Sequence, residues 1–131
     1  MNKSPSRAAR RLLILASLLL IAHGVIELLS LLWLVQPPTF SFAFEELGRT
    51  YQATMLVGVI SGLLRVAAAA GILANRMWGW ALGVLMSAVT FAMLTFYLPA
   101  GAADAILAGG VMVLLLAGKY QGAPILGETT A

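Results

Sequence analysis

Four stretches of this chain are apolar over nearly the thickness of a lipid bilayer, and that feature limits its fold more than any other. Crossing about 30 Å of hydrocarbon takes a helix of roughly 20 mainly apolar residues, because each residue adds about 1.5 Å. Leu12 to Val35 meets this length and stops where Pro37 and Pro38 cannot continue a helix. Gln52 to Ala74, Trp78 to Leu98 and a shorter run from Ala102 to Gly118 follow. The expectation is an all-α, polytopic membrane protein, an antiparallel four-transmembrane-helix bundle over residues 12–118. Its helices fall at about 12–35, 52–74, 78–98 and 102–118, between a basic N-terminus (1–11) and a tail (119–131). Composition agrees: 61% of residues are hydrophobic and 10% charged, where a soluble domain has about 45–50% and 25%.

The few charges set the expected orientation. Lys3, Arg7, Arg10 and Arg11 precede the first span, Arg76 lies between the second and third, and Lys119 follows the fourth. An even number of spans puts all of them on one side. The positive-inside rule then makes both termini cytoplasmic. Nucleic-acid binding is excluded as a use of the +3 net charge, since a binding face needs many exposed basic residues. There are no cysteines, so disulfides, thiolate chemistry and Cys-based metal sites are excluded. "AHG" at residues 22–24 has the small-residue character of a signal cleavage site, and "RRLL" that of a twin-arginine signal. The apolar run continues to Val35, well beyond the length of a signal h-region of about 7–15 residues, so the segment is expected to stay as a span.

The loop "QPPTFSFAFEELGRTYQ" carries Phe40, Phe42 and Phe44 two apart, then Glu45 and Glu46. An interfacial anchor is the preferred reading, with a lid over an outer cavity as the alternative. Trp78 and Trp80 read as the inner aromatic belt, Trp33 and Tyr97 as the outer one. Met55, Met86, Met93 and Met112 read as core filler, not a copper path. Small residues recur along three spans: Gly58, Gly62, Ala67 and Gly71; Gly79, Gly83 and Ser87; Ala105, Gly109 and Gly110. They allow close helix approach, within one chain or in a dimer.

Four polar residues stand out against this background. His23 and Glu27 are one turn apart on one face of the first span. Arg65 lies near the middle of the second span, at a depth its long stem can bridge to Glu27. An unpaired charge in mid-bilayer costs about 2.5–3.5 kcal/mol on insertion scales, so these three are expected to meet inside the bundle. The preferred reading is structural, a polar core pinning two helices; the alternative is a pocket for a small ligand, cation or proton. Asp104, in the first turn of the fourth span, either complements the helix dipole or joins Glu27 in one cavity.

The layout "NRMWGWALGVLMSAV … YLPAGAADAILAGGVMVLLL" resembles small uncharacterised bacterial four-helix integral membrane proteins, through Arg76, Trp78, Pro99 and Asp104. That resemblance covers the last three spans and implies a fold without an activity. "YLPAGAADAILAGG" is also similar to a stretch of the small multidrug resistance transporters, which carry a glutamate in their first helix. Here it joins the third and fourth spans instead of the second and third, Leu107 stands where an aromatic residue is expected, and Arg65 would repel cationic drugs. The expected role is therefore non-enzymatic, an accessory or assembly subunit or a small homo-oligomer with a polar core of His23, Glu27 and Arg65. The alternative is a small proton-coupled transporter or ligand-binding membrane protein using Glu27. No catalytic residue, cofactor or metal is assigned. The lipid bilayer is the expected partner, with a second copy or a membrane-complex protein beside it.

Overall fold

The computed structural model describes residues 7–29, 31–32, 48–95 and 102–122. They form four helices, α1 (Arg7–Leu28), α2 (Gly48–Leu73), α3 (Met77–Thr95) and α4 (Ala102–Tyr120). Three of them are long and apolar enough to cross a membrane: α1, the Met55–Leu73 part of α2, and α4. The apolar part of α3, Met77–Met93, is shorter.

The helices differ from the expected spans mainly at their ends, for local reasons. α1 starts at Arg7 instead of Leu12, because arginine is a good helix former and carries the helix beyond its apolar part. α2 ends in a Schellman motif. The Arg76 N–H donates to the Gly71 carbonyl at 2.8 Å and the Asn75 N–H to the Ile72 carbonyl at 2.9 Å, with Asn75 at φ 55°. Asparagine enters this left-handed region more readily than other side chains, which is why "NR" stops the helix. α4 runs on to Tyr120 and closes at Gly122, at φ 92°, whose N–H donates to the Lys119 carbonyl at 3.2 Å. Trp33 and the rest of 33–35, the phenylalanine loop with Glu45 and Glu46, 96–98 with Tyr97, the "PAG" turn and the tail from 123 lie outside the described residues.

Each helix packs chiefly on two others, in the cyclic order α1, α2, α3, α4 and back to α1. Glycine brings two of these pairs together. A Cβ on Gly24 would stand 2.8 Å from the Gly62 carbonyl oxygen, and one on Gly62 would stand 2.7 Å from that of Gly24. A Cβ on Gly79 would stand 2.5 Å from the Gly71 Cα. The obstacle is backbone in each case, so a side chain has nowhere to displace it. This is the close approach that small residues permit between apolar helices.

Inside, Ala9, Leu13, Ala16 and Leu20 of α1 pack with Ala68, Ala69 and Ile72 of α2 and Val111 and Leu115 of α4. The third helix enters this core at Gly83. Leu115, Leu20 and Ile72 methyls converge there, within 3.1–3.3 Å of where a Cβ would sit. One residue from each helix thus makes a single apolar layer across the bundle. Large apolar side chains also cover the outside: Leu18, Ile26, Val57, Leu63, Leu85, Ile106 and Val113 are all exposed. Among the described residues, the buried polar ones are Ser17, His23, Arg65 and Ser87. Large apolar side chains thus lie outside, and these polar side chains lie inside beside the apolar core.

Candidate functional site

Three of these four buried polar residues, His23, Arg65 and Ser87, lie on one side of the Leu20–Ile72–Gly83–Leu115 layer, and Ser17 lies on the other. Arg65, on α2, is the largest fully buried side chain among the described residues. Its Nε donates to Glu27 Oε2 of α1 at 2.7 Å. Its Nη2 donates to Thr90 Oγ1 of α3. One guanidinium therefore ties three helices together. The glycine contact beside it makes this reach feasible, since the Arg65 Cβ lies 3.2 Å from where a Cβ on Gly24 would be. A charged pair in so apolar a setting loses its hydration. Direct contact and charge-assisted hydrogen bonds must offset that loss.

His23 lies one turn before Glu27, and its side chain is 4% exposed. Its Nε2 stands 3.8 Å from Glu27 Oε1 and 3.9 Å from Asp104 Oδ1. Both separations exceed a hydrogen bond. The imidazole therefore stands between two carboxylates from two helices without being bonded to either. Exposure rises steadily outward: Arg65 is buried, the Glu27 side chain is 20% exposed and that of Asp104 56%. The cluster opens at the end of the bundle where α1 finishes and α4 begins. Below it, the apolar layer closes the interior.

Among the described residues, His23 Nδ1, Arg65 Nη1 and Ser87 Oγ are buried without a hydrogen-bond partner. Buried polar atoms are normally satisfied. Two of these three atoms belong to this cluster, and Ser87 lies one turn from Thr90 on α3. Among the described residues no group of three His, Cys, Asp or Glu side chains is placed to hold a metal ion.

All four residues singled out from the sequence fall in this one cluster. Thr90 was not singled out. It lies three residues after Ser87, the last member of the small-residue ridge of α3, a spacing that puts both on one face of the helix without marking either as a partner for Arg65. Gly24, in the "AHG" stretch expected to stay within the first span, is a contact point of α1 with α2.

The opposite end has different chemistry. Trp80 Nε1–H donates to the Leu115 carbonyl at 3.0 Å, and Lys119 Nζ lies 3.8 Å from the centre of the Trp80 ring. Trp80 therefore turns inward to join α3 to α4, while Trp78 is 55% exposed, as a belt residue would be. Compared with known protein families, curated proteins and solved structures, the chain finds no match.

Proposed function

We propose that this chain is a multi-pass protein of a bacterial inner membrane, with four antiparallel spans and both termini in the cytoplasm. Its role is non-enzymatic: an accessory or assembly subunit, or a small homo-oligomer, built around a polar core. The membrane reading is supported by the exposed apolar residues on all four helices. The orientation is supported by charge: Arg7, Arg10, Arg11, Arg76 and Lys119 belong to one end, and Asp104 with one basic residue, Arg49, to the other. The antiparallel order agrees with contacts such as Trp80 to Leu115 and His23 to Asp104.

The observation that carries the non-transporting role is the apolar layer beneath the cluster. Leu20, Ile72 and Leu115 close on Gly83, so among the described residues the polar cluster leads to one end only. A transporter needs its site to reach both sides in turn. An accessory protein needs only a bundle of fixed shape, and the Arg65 network, which joins α1, α2 and α3, supplies that.

One observation favours the second reading, a small proton-coupled transporter or ligand-binding membrane protein using Glu27: the cluster is open at its outer end, through Asp104. Purification in mild detergent followed by native mass spectrometry, with a pH-gradient assay on proteoliposomes, separates the two. A fixed partner or a defined homo-oligomer that leaves the gradient intact is expected. A monomer that discharges the gradient would overturn the subunit reading in favour of transport through Glu27.

A further inference from the structure

We propose that the basic end of the bundle, where α3 begins and α4 finishes, binds the headgroup phosphate of an anionic phospholipid through Arg76 and Lys119. This site presupposes the membrane reading above and goes beyond it by naming a lipid and the residues that hold it.

Five cations belong to this end: Arg7, Arg10 and Arg11 on α1, Arg76 in the turn before α3, and Lys119 in the last turn of α4. The described carboxylates, Glu27 and Asp104, belong to the other end. Among the described residues none of the five cations is paired with a carboxylate. Packing brings two of them together from distant parts of the sequence. Lys119 Nζ lies 3.8 Å from the centre of the Trp80 ring and 3.7 Å from Met77 Sδ, and Met77 adjoins Arg76. The Trp80 indole is itself fixed by its bond to the Leu115 carbonyl, so attraction to the ring face holds the ammonium at the start of α3. A thioether is a weak acceptor, so Lys119 keeps donors for a stronger partner. Arg76 is exposed and adds the planar fork of a guanidinium. Phosphate oxygens suit both, as a point charge for lysine and as a bidentate partner for arginine.

The surroundings favour a lipid over a soluble anion. Trp78, which packs over Gly71, is exposed, as are Leu73 and Tyr120. These apolar and amphipathic groups lie at the depth of the cations, which is the composition of a boundary between headgroups and acyl chains. The α1 arginines stand apart from this site. α4 meets α1 through Gly118, where a Cβ would be 2.7 Å from Leu13 Cδ2, and meets α3 through Lys119. Arg7, Arg10 and Arg11 therefore contribute only to the general attraction between a basic surface and an anionic leaflet.

The test uses the full chain in nanodiscs of equal phosphatidylglycerol and phosphatidylcholine, with retained lipids counted by native mass spectrometry. About tenfold enrichment of phosphatidylglycerol is expected, which corresponds to about 1.4 kcal/mol. Arg76→Gln with Lys119→Gln should bring the ratio close to one. Arg7→Gln with Arg10→Gln removes the same charge and should leave most of the enrichment. If the first pair fails to fold, Arg76→Gln alone, at an exposed residue, should still lower the ratio. Inorganic phosphate should not raise the melting temperature of the detergent-solubilised protein. Absence of enrichment, equal loss in the two charge-removing pairs, or an unchanged ratio in Arg76→Gln would overturn the proposal. Stabilisation by inorganic phosphate would overturn the assignment to a lipid. A chain that does not enter nanodiscs would overturn the membrane reading and this proposal with it.

Discussion

Arg65 is the residue whose loss of partners the interior can least absorb. A guanidinium cannot shed its proton, whereas a carboxylate left alone can take one up. Glu27→Gln, which strands Arg65, is therefore expected to destabilise more than Arg65→Leu. Breaking a buried pair from one side typically costs about 3–5 kcal/mol. The double replacement should recover much of that loss, because an uncharged interior avoids both desolvation costs. A melting cycle in detergent should give a coupling of about 0.5–3 kcal/mol; additive losses would mean that the side chains do not interact. Thr90→Val should cost about 1–3 kcal/mol by leaving Nη2 of Arg65 without an acceptor. At this scale the polar residues are legible in the sequence because hydrocarbon makes each of them conspicuous. His23, Glu27 and Arg65 could be matched by depth alone. Thr90 could not, since a hydroxyl in an apolar helix is common and can bond back to its own helix, as Ser17 Oγ does to the Leu13 carbonyl.

Among the elements, helix contacts are decided by where glycine meets backbone. Gly79→Ala would push a Cβ to 2.5 Å from the Gly71 Cα and 2.6 Å from the Ile72 N, and α2 and α3 would have to part. A loss of about 1–3 kcal/mol in detergent melts is expected, as for other overpacked sites. Gly110→Ala meets nothing within 4 Å and should cost nothing, since alanine is the better helix former by about 0.5–1 kcal/mol. Equal effects of the two changes would contradict this packing. The sequence places both glycines on small-residue ridges and does not distinguish them. A ridge of small residues shows that a helix can approach another closely, and only the assembled bundle shows which neighbour arrives. Helix ends were legible where a side chain marks them, as at Asn75. They were not where polar residues simply prolong a helix, as from Arg7 to Arg11.

For the whole molecule, the question is which solvent its surface is made for. Leu32, Leu63, Ile106 and Val113 are each more than half exposed, while Arg65 is buried. In water that distribution would be unfavourable on both counts; in a bilayer it is favourable on both. Both proposals depend on this inversion, and α4 offers its most direct test. Ala103 and Gln121 are exposed at the two ends of that helix, about 27 Å apart along its axis. Single cysteines at these positions, in a chain with no other cysteine, can be treated with an impermeant thiol reagent on intact inner-membrane preparations of known sidedness. Ala103→Cys is expected to react from the outer side and Gln121→Cys only from the cytoplasmic side. Reaction of both from the same side would contradict it.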